Sequence, residues 1–254
     1  MGVTFRKSRR DVAPDFFRAE AAGLRWLADG GGPVVRVLDC GHDFIEVERL
    51  TTVRPTVSAA RDFGAALARV HGSGAPAFGS PPDGYHGAQF IGERPLSSRV
   101  RDRWGEFYAH ERVLPYLPAA IEAGFLGPDD AEVTRAACDR IVEGAFDDGD
   151  GPARLHGDLW NGNVLWTPRG VVMIDPAAHG GHRETDLAML ALFGCPLLDE
   201  IIGGYQAEHP LRAGWVQRIP LHQLHPLAVH AAGHGPSYGT ALGRAARATL
   251  ALGS

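Results

Sequence analysis

The stretch from Leu155 to Pro176 constrains this chain more tightly than any other. It reads His156-Gly157-Asp158, then Asn163 five residues after the aspartate, then two short apolar runs at 164–166 and 172–174, the second ending in Asp175. Asp158 and Asn163 must share one tight loop, and the two runs must return as neighbouring strands that bring Asp175 back to it. That grouping suits phosphoryl transfer from a magnesium-bound nucleotide. One carboxylate, Asp158, sits beside an incoming hydroxyl to orient it and accept its proton. The amide oxygen of Asn163 and the carboxylate of Asp175 hold Mg²⁺ against the phosphates.

Each piece taken singly has an ordinary explanation. Asn-Gly and Asp-Gly pairs mark turns, and Thr167-Pro168-Arg169-Gly170 could close a plain hairpin. What separates this stretch from a structural loop is the register: Asp, Asn and the later Asp each fall at the edge of an expected strand. The spacing is that of the catalytic loop and metal ligands of kinase-like phosphotransferases, with Gly157 where protein kinases carry Arg.

Bulk properties exclude several classes. At 254 residues the chain can bury a full core as one two-lobed domain or two small ones. A formal net charge of −5 gives no electrostatic footprint for nucleic acid. The basic run Arg6-Lys7-Ser8-Arg9-Arg10 is short and is followed by Asp11 and Asp15, as a solvated strand end would be. Cys40, Cys138 and Cys195 are too few and too scattered for a disulfide framework or a zinc site, which points to a reduced, cytoplasmic setting. No apolar run approaches the ~20 residues needed to cross a bilayer, so no membrane partner is expected. The N-terminus lacks the apolar segment of a signal peptide, and Arg6 stands where a myristoylation signal wants Ser or Thr.

The pattern along the chain predicts a small mixed unit and then a helical one. Alternation over 2–9 predicts a strand. Phe17, Ala21, Leu24 and Leu27 recur at helical spacing from Pro14 to Asp29, where Gly30-Gly31-Gly32-Pro33 breaks the helix. Strands are expected at 34–38 and 44–48. Beyond Pro55 a helix over 58–71, capped by Ser58, is followed by a Gly/Pro-rich loop over 72–95. Helices follow at 99–123 and 128–146, and after the catalytic loop at 183–193, 197–208, 211–232 and 238–252. The fold class is α+β, two-lobed and kinase-like: residues 1–50 form a small β-rich N-lobe and residues 51–254 a larger helical C-lobe.

Lys7 on the first strand and Glu20 on the first helix form a second constellation, in which a strand lysine reaches the nucleotide phosphates and a helix carboxylate holds it. Residues 46–50 lie where a hinge between lobes would run, so the backbone near Glu48 and Leu50 is assigned to the adenine edge by position. Asp186 opens an apolar helix and is read as its cap or as a brace for the catalytic loop. His182, Arg183 and Glu184 are candidates to face the substrate. His222, His225, His230 and His234 match no compact zinc spacing and read as cleft lining or surface. Asp147-Asp148-Gly149-Asp150-Gly151 lacks the ligand alternation of a calcium loop and reads as a linker. Gly233 to Gly239 is no phosphate cradle, since its spacing is wrong and Pro236 removes a donor.

The runs HGDLWNGNVLW, IDPAAHGGHRETDLAML and GWVQRIPLHQLHPLAVH resemble the fructosamine/ketosamine kinases of the protein-kinase-like superfamily, related to aminoglycoside phosphotransferases. Trp160, between the Asp and the Asn, and the GHRE-x-DLAM continuation carry more of the likeness than the superfamily spacing does. The resemblance runs from Val3 onward. It implies ATP-dependent phosphorylation of the 3-hydroxyl of ketosamines, a glycated-amine substrate, and a role in deglycation. Asp158 would be the base, Asn163 and Asp175 the Mg²⁺ ligands, and Lys7 with Glu20 the phosphate clamp. Trp160 would shape the sugar site.

The pattern departs at the front. Kinase-like folds place a hairpin with a phosphate-covering loop before the lysine strand, whereas six residues precede Lys7 and none forms a Gly-rich loop. Either a natural N-terminal segment lies upstream of the recorded start, or this hairpin is absent. Loss of the hairpin would remove backbone donors from the phosphates and expose the first strand as an edge, which makes a homodimer an alternative to a monomer. The competing readings are a kinase for another hydroxyl, such as an aminoglycoside, and a nucleotide-binding pseudokinase. An intact Asp158, Asn163 and Asp175 argues against the last.

Overall fold

The structure is a computed structural model that describes residues 4–253. Gly2 and Val3, at the start of the expected first strand, lie outside the described residues. Strand β1 (Thr4–Ser8) pairs antiparallel with β3 (Phe44–Glu48), which also pairs with β2 (Val37–Cys40), giving the order β1-β3-β2 with Lys7 opposite Ile45. Ile45 and Val47 of β3 point into the core and alternate with more exposed neighbours. Helix α1 (Phe16–Asp29) lays Phe17, Ala21 and Leu24 against them, as its periodicity requires.

The second strand begins three residues later than the pattern predicts. Val35 N–H bonds to the Met173 carbonyl at 3.0 Å and Met173 N–H to the Pro33 carbonyl at 2.7 Å. Residues 33–35 are therefore committed to a strand that follows the catalytic loop, and this stitches the N-terminal sheet to that loop.

Helix α2 (Val57–Gly72) is capped by Thr56, whose hydroxyl oxygen accepts from Ala59 N–H at 3.3 Å. The expected cap, Ser58, sits inside the first turn and donates to Asp62. The stretch read as loop at 72–95 contains the start of a hairpin, β4 (Gln89–Ile91) with β5 (Arg94–Leu96). Its strands of three residues are too short to produce a recognisable period. The expected helix at 99–123 is broken into α3 (Trp104–Phe107), a π-helical turn (Tyr108–Val113), a 3₁₀ turn (Leu114–Tyr116) and α4 (Leu117–Glu122). Pro115 and Pro118 supply no N–H, so a regular ladder cannot run through them.

After α5 (Pro128–Val142), β6 (Ala153–Leu155) pairs with β9 (His179–Gly181), and β7 (Val164–Thr167) pairs with β8 (Gly170–Met173) across the Pro168-Arg169 turn. Then come α6 (Glu184–Leu192), α7 (Leu198–Glu208), α8 (Trp215–Ala231) and α9 (Pro236–Leu250). The largest core gathers Trp104, Tyr108, Ile141, Leu221 and Leu242 from the surrounding helices, and a second packs α2 and α7 against β7 and β8. Among the described residues no helix is long and apolar enough to cross a membrane.

Candidate active site

Strand β6 delivers the chain into the catalytic loop at His156, whose ring is buried. His156 Nε2 donates to the Ile174 carbonyl at 2.9 Å, which leaves Nδ1 to accept the Asp158 N–H at 3.2 Å. Gly157 adopts φ +80°, and a Cβ there would collide with the Ala177 carbonyl, so an arginine could not occupy this position without moving the segment that leads into β9.

The loop hangs on one buried carboxylate. Asp186 accepts from His156 N–H at 2.7 Å and Gly157 N–H at 2.9 Å, and His71 Nε2 lies 3.2 Å away. The Tyr205 hydroxyl meets the other nitrogen of His71 at 2.9 Å. Burial alone would raise the Asp186 carboxyl, but His71 and the loop amides outweigh it and hold it below its ordinary range. The bracing read for Asp186 is therefore the one its contacts support, and the chain reaches it from three elements.

Asn163 ties Asp158 and Asp175 together. Its Nδ2 donates to the Asp158 carbonyl at 2.8 Å, to Asp158 Oδ2 at 3.1 Å and to the Asp175 carbonyl at 3.4 Å. The amide oxygen is left without a hydrogen bond among the described residues. Burial first, then Asp175 and Asp186, push Asp158 up to about 7, against the Asn163 hydrogen bond. Asp175 sits at φ +55°, a left-handed conformation that aspartate tolerates better than most residues, and this turns its carboxylate back toward β1.

There it meets Lys7, whose Nζ lies 2.7 Å from Asp175 Oδ1 and 2.9 Å from each oxygen of Glu20. Burial opposes the lysine charge, yet the two carboxylates overcome it and raise the ammonium above its usual range. Burial likewise raises Glu20 against the pull of Lys7. The free oxygens of Asn163 and Asp175 are hard donors of the kind Mg²⁺ takes, so the residues present fit that ion.

Lys7, Glu20 and Asp175 are shared by two cavities. One, of about 510 Å³, is lined by Phe16, Phe90, Asp158, Trp160 and Asn163. The other, of about 430 Å³, is lined by Val35, Val47, Leu165 and Ile174, with Glu48 and Leu50 at its border. The Trp160 ring lies flat over Gly162, where a Cβ would overlap the indole, and it stays 40% exposed. The Glu48 carboxylate points away from this cavity, toward Arg169 and the Arg36 N–H.

His182, Arg183 and Glu184 line neither cavity. All three are buried in an ionic layer that also takes in the acidic stretch read as a linker. His182 Nε2 meets Asp148 at 3.2 Å, Arg183 donates to Asp150 at 2.8 Å, and Arg218 donates to both Glu184 oxygens at 2.6 and 2.9 Å. Periodicity cannot separate such a layer from cleft lining, because both need polar residues on an inward face. His182, Glu184 and His222 bring possible ligand atoms within 4.8 Å of one another. However, Arg218 occupies the carboxylate, and the Glu184 N–H donates to His182 Nδ1, which leaves Nε2 protonated toward Asp148. The cluster is satisfied without an ion.

Among the lining residues that sequence reasoning missed are Phe16, Phe90, Val35, Leu165 and Ile174. Leu165 and Ile174 could have been found, since Leu165 lies on the strand after Asn163 and Ile174 just before Asp175. Phe90 could not, because its strand has only three residues.

A model of the fructosamine kinase family matches residues 2–251. The chain belongs to the fructosamine kinase family. It is 32% identical to a probable ketoamine kinase of Enterococcus faecium over 242 residues, covering 93% of this chain and 83% of the relative. With a probable ketoamine kinase of Escherichia coli K12 it shares 33% identity over 225 residues, 86% of this chain and 74% of that one. A crystal structure of a putative fructosamine-3-kinase from Thermobifida fusca superposes with a TM-score of 0.91 at 46% identity, covering 98% of this chain and 86% of that one. The aminoglycoside phosphotransferase APH(4)-Ia superposes with a TM-score of 0.61 at 15% identity, covering 94% and 84%, a likeness of fold alone. As a member of the fructosamine kinase family, with a protein-kinase-like phosphotransferase fold, the chain is a small-molecule kinase.

Proposed function

We propose that this kinase transfers the γ-phosphoryl group of ATP to the 3-hydroxyl of a ketosamine, the adduct of a sugar with an amine. The observation that carries the reading is the ion-paired trio of Lys7, Glu20 and Asp175, shared by an apolar cavity on one side and the cavity of Asp158 on the other. The apolar side suits an adenine ring between Val35, Val47, Leu165 and Ile174, with backbone groups near Glu48 and Leu50 at its edge. The Asp158 side suits a sugar, with Trp160 as a flat wall.

In this scheme Lys7, held by Glu20, bonds the phosphates as a point charge. Asp158 accepts the proton of the sugar hydroxyl while its oxygen attacks the γ-phosphorus. The bond to the bridging oxygen breaks, and ADP leaves with that electron pair. Mg²⁺ bound by Asn163 and Asp175 would neutralise charge that develops on the phosphate oxygens. Asp186 keeps the loop amides in place so that Asp158 does not have to be ordered at each turnover. The fold neighbour APH(4)-Ia has been solved with ADP and hygromycin B, which is consistent with a nucleotide beside a sugar-bearing acceptor.

The test is incubation with Mg²⁺-ATP and a fructosyl-amine, followed by ³¹P NMR of the product. A new sugar phosphate is expected, and it should fall by at least about a hundredfold in Asp158→Asn, in line with the loss of a general base. Transfer that survives in Asp158→Asn at the wild-type rate would remove Asp158 from this role. Failure to phosphorylate any fructosyl-amine would remove the substrate.

A further inference from the structure

Trp160 does not stand alone at the mouth of the acceptor cavity. Its ring meets Phe193 edge-on at 6.0 Å, Phe193 meets His230 at 4.9 Å, and His230 meets both Tyr238 and His234 at 5.0 Å. These rings come from four places in the fold: the catalytic loop, the residue after α6, the end of α8, and α9 with the turn before it. Their convergence is therefore a tertiary arrangement and not the stripe of a single helix. None of the five is fully buried, and His234 is exposed. Tyr238 packs on the largest core, while Phe193, His230 and His234 extend the row away from it and remain partly open.

We infer that this ladder is the subsite for the amine portion of the substrate, and that it selects ketosamines whose amine carries an aromatic or flat apolar group. The inference rests on the ketosamine reading above and adds the substrate class to it. In a ketosamine the amine-bearing carbon is two bonds from the carbon whose hydroxyl would face Asp158, so a sugar lying on Trp160 directs its amine substituent along or away from the indole. Trp160 is the rung that lines the cavity, and its edge-on contact with Phe193 links the other rings to it.

Its chemistry also discriminates. The five residues include no carboxylate, and Arg94 adds a positive charge where it donates to the Ala232 carbonyl at the end of α8. His230 donates from Nδ1 to the Pro226 carbonyl, and burial holds its imidazole below the ordinary range, so the ring is neutral and presents a π-face. The ring faces attract a single ammonium as well as a flat group, but the Arg94 charge beside them opposes a polycation, whereas an aromatic ring gains offset or edge-on contacts.

The test compares fructosyl-benzylamine with fructosyl-methylamine, which share the reacting sugar and differ only in the group offered to the ladder. The wild type is expected to favour the benzyl compound by about tenfold in kcat/KM, through KM with kcat little changed, as one aromatic contact allows. In Phe193→Ala the ratio should collapse toward one, and Phe193→Tyr should restore it. A ratio near one in the wild type overturns the inference, as does a preference that persists in Phe193→Ala. Calorimetric binding of both compounds keeps the two readings separable. Tighter binding of the benzyl compound without turnover sinks the kinase reading and leaves the subsite standing. Equal or absent binding of the two sinks the subsite.

Discussion

Asp186 does the most for the site without touching either cavity. One carboxylate takes two backbone N–H groups of the catalytic loop and faces His71, all in a buried setting. Asp186→Asn keeps the shape but replaces one acceptor oxygen with a donor facing an N–H, and it removes the charge opposite His71. Hydrogen bonds to a charged group contribute about 1.5–3 kcal/mol. The variant should therefore lose on that order of stability in urea denaturation, and kcat should fall more than KM changes because Asp158 loses its fixed position. An unchanged kcat in a folded variant would deny Asp186 its bracing role. At this scale the sequence is legible where chemistry fixes spacing. Asp158, Asn163 and Asp175 follow one loop and one strand pair, and Lys7 and Glu20 follow from a strand and a helix of known direction. It is not legible where only burial decides. His182, Arg183 and Glu184 have the composition of a substrate site and the contacts of a buried ionic layer.

Among the elements, the packing of α2 on α7 is set by two glycines. A Cβ on Gly64 would overlap the Ile201 carbonyl, and one on Gly204 would overlap the Arg61 carbonyl, so each helix approaches the other at a position without a side chain. The contact matters to the site because α2 carries His71 in its last turn and α7 carries Tyr205, the two residues that support Asp186. Gly64→Ala gains about 0.5–1 kcal/mol of helix propensity but forces the backbones apart, at a cost of about 1–3 kcal/mol for overpacking. A net fall in the urea midpoint is expected, together with a lower kcat. A midpoint raised by the substitution would show that the helices can part freely. Neither glycine announces itself in the sequence, because a small residue at a helix crossing looks like any other interior residue until the partner helix is known. Long helices with one apolar face are readable in advance, as α1 and α2 are. The hairpin at 89–96 and the prolines of 114–118 defeat that reading, the first by brevity and the second by breaking a period that otherwise persists.

For the molecule as a whole, the buried histidines and their acidic partners set the response to pH. Burial pushes His225 down to about 3, with the nearby Arg112 charge adding to it. Burial likewise takes His222 down to about 4 against the pull of Glu184. Unfolded histidine titrates near 6.5, so below that pH the unfolded chain binds protons that the folded chain refuses, and stability must fall as pH drops from about 6.5 toward 4. Glu184 acts in a lower window. Its burial is outweighed by His222 and Arg218, which hold it at about 2, so its contribution is full above the unfolded value near 4.3 and disappears as pH falls through 2. Both effects have the same sign and succeed one another. Asp158, raised to about 7, opposes them by taking up a proton in the folded state, but the two histidines outnumber it. This predicts a net descent that starts well above the carboxylate range. Urea midpoints measured at pH 7.5, 6.0 and 4.5 should decline at each step. His225→Phe should flatten the upper part of the descent while lowering stability at pH 7.5 by about 1 kcal/mol, through loss of the bond from Nδ1 to the Arg112 carbonyl. A midpoint that holds constant between pH 7.5 and 4.5 would mean that these rings take up protons in the folded state.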